Sequence, residues 1–221
     1  MQGCIYLIGC DLGETTDYTA ISLTERATVY RDDKDTFIHE YRVRYLKRFR
    51  GESTYPIIVQ HLVKMFLKPE ISLDGYLLVD QTGVGRAVIE MMRAEKLNPI
   101  GITITGGTQV TETPDGFNVP KKDLVSALLV LFQTGQIRIA AELPDADVLK
   151  GELENFRVKV NPRTGHESFE AWKDSDHDDM VISLAMPIWY ASEYMPTLDT
   201  PATKSEQEEE EHDYLRSGLQ E

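Results

Sequence analysis

Three strand-like stretches, the first a short apolar run and the next two alternating with a two-residue period, precede the first stretch with helical spacing, and that order restricts the fold more than any other feature. Residues 5–11 (IYLIGCD) are a short apolar run closed by a carboxylate, the pattern of a buried strand. Gly13 and the polar residues 14–17 predict a turn, and Tyr18–Thr24 alternates as a second strand. Thr36–Phe49 alternates again, with Tyr41, Val43, Tyr45 and Phe49 predicted on one face and Arg42, Arg44, Arg48 and Arg50 on the other. Three strands joined by short connections predict an antiparallel meander.

The period then changes. Thr54–Leu67 carries Ile57, Ile58, His61, Leu62, Met65 and Phe66 at helical spacing, closed by Pro69. Tyr76–Asp80 (YLLVD) is a second short apolar run ending in a carboxylate. Gly83–Lys96 reads as a helix, Pro99–Thr105 as a strand and Gly106–Val119 as a long Gly- and Thr-rich loop. Pro120 opens a helix to about Gln133, in the first-turn position where proline is favoured. Leu143–Leu153 is predicted helical. Phe156–Val160 and Glu167–Trp172, joined across Asn161–His166, predict a β-hairpin. The last helix is predicted from Asp176 to Ala191. A meander followed by β-α-β units predicts an α/β fold: a mixed sheet with helices on both faces.

With 41% hydrophobic residues the chain can bury a core, and its net charge of −14 argues against a module whose task is static, non-specific grip on nucleic acid. From Glu193 to Glu221 there are nine acidic and two basic residues, a net of −7, half of the total. Residues 1–192 are therefore read as one domain and 193–221 as an acidic, mobile tail. Cys4 and Cys10, if they share a strand, lie roughly 20 Å apart and cannot pair. No Cys/His cluster suggests zinc, and no apolar run nears the ~20 residues of a membrane span. No signal peptide opens the chain, and a reducing cytoplasm is the expected compartment.

Asp11 and Asp80 each end a predicted strand, and sites in open α/β sheets form at such ends. Asp178 and Asp179 open a helix that is apolar nearly all round and hence buried, so at least one of them is expected to face inward. Taken singly, an Asp at a strand end is often a turn residue, and an Asp at a helix start often a cap. The run DSDHDD also imitates the start of a calcium loop. Asp179 stands where that loop needs glycine, and Ala185 where it needs glutamate, so this reading fails. Clustered carboxylates repel unless a cation compensates, and hard oxygen donors suit Mg²⁺ or Mn²⁺.

In their order, GCDLGETTDYTAISL (9–23), YLLVDQTGVGRAVIEMM (76–92), VPKKDLVSALLVLFQTGQIRI (119–139) and HDDMVISLA (177–185) resemble the nuclease domain of tailed-bacteriophage terminase large subunits. That domain has the RNase H-like fold shared with Holliday-junction resolvases. The resemblance covers roughly residues 5–192. It implies a five-stranded mixed core sheet, three strands antiparallel and then parallel, flanked by helices and carrying an extra β-hairpin. It further implies a metal-dependent endonuclease that cuts concatemeric double-stranded viral DNA by two-metal-ion phosphodiester hydrolysis in the host cell cytoplasm.

Carried over by resemblance, Asp11, Asp80 and Asp179 are catalytic metal ligands, and Asp178 binds or orients the second of two Mg²⁺ or Mn²⁺ ions. His177 is a candidate for orienting a carboxylate, and Asp17 is read as a turn cap. DNA contacts are expected from Arg42, Arg44, Lys121, Lys122, Arg157, Lys159 and Arg163. The partners implied are double-stranded DNA, the ATPase motor domain, the portal and the small terminase subunit, and no membrane. The chain has no G-x-x-x-x-G-K-[ST] phosphate loop, so the expectation is the nuclease half without the motor. The rivals are a resolvase-like or actin-like ATPase relative of the same fold, and a non-catalytic packaging adaptor.

Overall fold

Backbone pairing turns the first three predicted strands into the expected meander. In the computed structural model, which describes residues 4–13, 17–32, 35–49, 53–83, 85–160, 167–171 and 177–195, β1 (Ile5–Asp11) runs antiparallel to β2 (Thr19–Arg31). β2 in turn runs antiparallel to β3 (Thr36–Phe49). The chain then crosses over through α1 (Tyr55–Phe66) and α2 (Pro69–Asp74), and β4 (Gly75–Asp80) lies parallel to β1. A second crossover through α3 (Gly85–Ala94) brings β5 (Pro99–Thr105) parallel to β4. Parallel neighbours need such helical connections, which is why the change of period in the sequence marks the change of strand direction.

The five strands stand in the order β3-β2-β1-β4-β5, and the sheet continues past both ends. β6 (Thr111–Thr113) and β7 (Gly116–Pro120) extend it beyond β5, and β8 (Ile137–Ile139) adds in parallel beside β3, giving eight strands. The stretch 106–119, expected as a loop, is thus partly strand. Edge strands of three to five residues hold too few alternating positions to show a period. α2 also went unforeseen, because Pro69 both ends α1 and opens the next turn at its N1 position.

Two apolar clusters sandwich the sheet. On one face α1, α2 and α3 bury Ile58, Leu62, Ile71, Val88, Ile89 and Met92 against Ile8, Ile21, Leu77 and Val79. On the other, α4 (Lys121–Thr134), α5 (Ala146–Asn155) and α6 (Asp179–Tyr194) cover Leu7, Ala20, Leu46 and Leu78. Between α5 and α6 runs the expected hairpin, β9 (Phe156–Val160) antiparallel to β10 (Glu167–Ala171). α6 starts at Asp179 rather than Asp176 and runs to Tyr194, past Ala191. The acidic stretch from Pro196 onward lies outside the described residues. Among the described residues, no helix is long and apolar enough to cross a membrane, and both Cys4 and Cys10 are free.

α6 is the buried helix its composition predicts: every residue from Met180 to Trp189 is buried. Its docking rests on a three-part fit. Pro187 has no N–H to offer the carbonyl of Ser183 one turn earlier. The Ser22 hydroxyl on β2 donates to that carbonyl instead, at 2.8 Å, so no buried acceptor is left unpaired. Gly9 on β1 supplies the room, since a Cβ there would stand 1.7 Å from the Ser183 oxygen. The helix therefore lies directly on β1 and β2, and its first residue is carried toward the end of β1.

β3 departs from its predicted faces. Leu23 pairs with Tyr45 but Thr24 pairs with Val43, so Arg44 is an extra residue, a β-bulge. A one-residue insertion reverses the side-chain parity beyond it. Tyr41 and Val43 face α6, whereas Tyr45 and Phe49 pack with the α1 cluster. The same reversal carries Arg48 onto the α6 face, away from Arg42.

Candidate metal centre

Alternation along β1 and β4 decides where Asp11 and Asp80 point. Leu7 and Leu78 belong to the α6-side cluster, and Asp11 and Asp80 share their parity. Register places the two strands side by side, with Gly9 opposite Leu78 and Cys10 opposite Val79, so the terminal aspartates are neighbours. Asp80 closes a turn by accepting the Thr82 N–H at 2.8 Å. Gly83 follows with φ of +82°, a conformation that glycine adopts without steric cost. The chain thereby turns into α3 without covering the two carboxyls.

Asp178 and Asp179 arrive from the opposite side, at the N-terminus of α6. Neither caps its own helix. That task falls to Glu152 on α5, whose Oε2 accepts the N–H groups of Met180 at 2.9 Å and Val181 at 3.1 Å. A carboxylate at a helix N-terminus satisfies orphan donors and complements the dipole. Asp178 pairs with Lys121, the first residue of α4. A lysine at a helix N-terminus is unfavourable toward the dipole, and its presence there is offset by this acid. Asp179 is held by Arg48, with Nη2 donating to Oδ2 at 2.8 Å. The guanidinium of Arg48 lies 4.1 Å from the ring centre of Tyr18, and Tyr18 meets the His177 ring edge-on at 4.9 Å. His177 Nδ1 is 3.9 Å from Asp179. The Arg48 N–H donates to Asp145 at 2.8 Å, tying the end of β3 to the start of α5.

The electrostatics follow from that geometry. Burial, then repulsion from Asp80, Asp179 and Asp178, pushes the Asp11 carboxyl well above the ordinary carboxylate range, with Lys121 opposing. Burial also raises Asp80, against hydrogen bonds from Thr82 and Asp11. Asp179 is raised by burial despite Arg48. Glu152 is pushed up to about 7, chiefly by burial, with the α6 N–H groups and Arg48 opposing and Asp179 adding to the rise. Burial thus disfavours the charged forms of Asp11 and Asp80, while Asp178 and Asp179 are each paired with a cation. Among the described residues, no three His, Cys, Asp or Glu side chains are arranged to hold a metal ion. Asp178 and Asp179 are turned to Lys121 and Arg48, which accounts for this. The donor set nevertheless suits a hard divalent cation: all-carboxylate, half-buried and mutually repelling.

The structure thus brings Asp11, Asp80, Asp178 and Asp179 together. Lys121 reaches this group, and Lys122 follows it on α4. Arg42 and Arg44 stand on the other face of the sheet, both bonded to Glu25. Arg157 and Lys159 lie on β9, whereas Arg163 is outside the described residues. Asp17 is exposed in the turn after β1. Sequence reasoning missed Arg48 as a partner of the acids, and missed Glu152 and Asp145 altogether. No local pattern marks them, since each acts through residues distant in the chain.

Comparison with protein-family models gives no match, and neither does comparison with curated protein sequences. Solved structures do match. The chain is similar to the large terminase nuclease of the thermophilic phage G20c, with a TM-score of 0.56 and 26% identity over 86% of this chain and 83% of that one. The human cytomegalovirus terminase nuclease domain, soaked with manganese, gives 0.52 at 12% identity over 86% and 84%. The large terminase nuclease domain of bacteriophage SPP1 with bound manganese gives 0.50 at 12% over 83% and 84%. The chain therefore has the mixed-sheet RNase H-like fold of the large terminase nuclease domains, as its sequence motifs imply.

Proposed function

We propose that the chain is a divalent-metal-dependent endonuclease that cuts double-stranded DNA during viral genome packaging. The observation that carries this reading is the meeting of four aspartates from β1, β4 and α6 at one end of the sheet, where burial raises the carboxyls of Asp11, Asp80 and Asp179 and acid neighbours add to the rise at Asp11 and Asp179. Such crowding is costly to a fold unless a cation is to be bound. Similarity to terminase nucleases, two of them solved with manganese, supports the same reading.

On this reading Asp11 and Asp80 hold Mg²⁺ or Mn²⁺ from the sheet, and Asp179 and Asp178 from the helix. Two such ions supply an activated water and neutralise the leaving oxygen of a phosphodiester. The protein's own contribution is placement. β1 and β4 hold two acids by register, α6 is locked on Gly9 and Ser22, and Glu152 keeps the first turn of α6 in place. Lys121 and Lys122, with Arg157, Lys159 and Arg163 of the hairpin segment, are proposed to meet DNA phosphates. Arg42 and Arg44 are given no part, being paired on the far face. The motor, the portal and the small subunit are the proposed partners, by likeness to large-subunit nucleases.

Mixing the purified protein with supercoiled plasmid and Mn²⁺ tests the proposal. Cleavage is expected, abolished by EDTA and indifferent to ATP. Undiminished cutting in EDTA, or cutting that requires ATP, would overturn it.

A further inference from the structure

Arg48 has two carboxylates within reach and fully serves only one. Its Nη2 is bonded to Asp179 at 2.8 Å and lies 3.4 Å from Glu152 Oε1. Both Glu152 Oε1 and Arg48 Nε are buried without a hydrogen-bond partner. An unpaired buried donor beside an unpaired buried acceptor costs free energy that a small rearrangement recovers. The Tyr18 ring stands 4.1 Å from the guanidinium carbon, close enough to stay in contact through a small turn of the side chain. Such a turn moves the guanidinium from Asp179 to Glu152 and keeps its contact with Tyr18.

Resting on the metal-centre reading above, we infer that Arg48 is an exchangeable counter-ion, which neutralises Asp179 in the metal-free protein and transfers to Glu152 when Asp179 takes a metal ion. Glu152 is then a positioning residue with two functions. Its Oε2 holds the first turn of α6, and its Oε1 is the seat into which the displaced arginine turns. The β-bulge at Arg44 makes this possible, because without the parity reversal Arg48 would lie on the opposite face of the sheet.

The test uses the full chain with Mg²⁺ as probe, Arg48 observed by ¹⁵N NMR, and Mn²⁺ binding measured by electron paramagnetic resonance of the free ion. At saturating Mg²⁺ the Arg48 Nε–H proton resonance is expected to move downfield as it gains an acceptor, and Glu152→Gln, which keeps the acceptor for α6, is expected to abolish that shift. Arg48→Gln should bind Mn²⁺ about tenfold tighter, the order of one ion-pair competitor removed. Glu152→Gln alone should weaken binding several-fold and have no effect in the Arg48→Gln background. An unchanged Nε–H signal under saturating Mg²⁺, or equal weakening by Glu152→Gln in both backgrounds, overturns the exchange. Mn²⁺ binding that survives Asp11→Asn and Asp80→Asn overturns the metal-centre reading itself, and the exchange falls with it.

Discussion

Carboxylates gather at two places on the central sheet, and their charge is balanced in opposite ways. On the α1 face Glu25 accepts from Arg42 at 3.1 Å and from Arg44 at 2.8 Å, and Glu40 pairs with Arg42 and Arg138. Two acids there face three guanidiniums. Burial pushes the Glu25 carboxyl up, but Arg44 and Arg42 outweigh it and hold it below its ordinary value. At the other place, among the described residues, Asp11, Asp80, Asp178, Asp179 and Glu152 face only Arg48 and Lys121 as full cations, and the carboxyls of Asp11, Asp80, Asp179 and Glu152 are raised. A closed ion network holds strands together. An acid cluster short of cations costs stability, and on the proposed reading it takes one from solution.

The widest separation between the two regions is expected in catalysis. Asp11→Asn, Asp80→Asn and Asp179→Asn should each cut Mn²⁺-dependent plasmid cleavage by at least ~100-fold, the scale on which losing one element of transition-state charge stabilisation is felt. Glu25→Gln should leave the rate within about twofold. Asp11→Asn should also raise the melting temperature of the metal-free protein, since it relieves repulsion. A fall would mean that Asp11 is held by attraction, as Glu25 is.

Docking of α6 should matter only to the acid end. Gly9→Ala forces a methyl onto the Ser183 carbonyl and should cost about 3 kcal/mol in denaturant unfolding, near the upper end for an overpacked core. It should also lower cleavage, because Asp179 moves with the helix.

The two regions should respond to pH with opposite sign. Glu152 is raised from 4.5 to about 7 in the fold, so its proton is bound more tightly there than in the unfolded chain. The resulting stability is full below pH 4.5 and lost as pH rises through about 7, of order 3 kcal/mol in all. Asp11, Asp80 and Asp179 act in the same sense. Glu25, being lowered, stabilises above its ordinary value and loses that contribution as pH falls through the lowered one. Metal-free melting temperature should therefore decline from pH 5 to pH 8, and Glu152→Gln should flatten the decline while Glu25→Gln leaves it.

The smallest effect is expected from Arg44→Ala. With its side chain 51% exposed, it should cost less than ~1 kcal/mol by urea unfolding, despite the ideal bond to Glu25. A larger loss would show that the bulge needs the arginine itself.

Chain order alone determined the sheet plan, because the period of apolar residues reports local geometry that few tertiary contacts override. β3, β5 and the start of α4 fall within a residue of the positions read from the sequence. Asp11, Asp80, Asp178 and Asp179 were legible for the same reason: strand ends and a buried helix start are local features. The tertiary structure alone decided which side chains meet those acids. The Arg44 bulge depends on the pairing of β2 with β3, and a one-residue register shift has no signature in either strand by itself. Glu152 looks like any acid on a short helix until α5 is laid against the first turn of α6. Pro187 looks like a helix breaker until Ser22 bonds to the carbonyl it frees and Gly9 admits that carbonyl. Local periodicity follows from the backbone, whereas the partners of a buried charge follow from what long-range packing brings within about 3 Å.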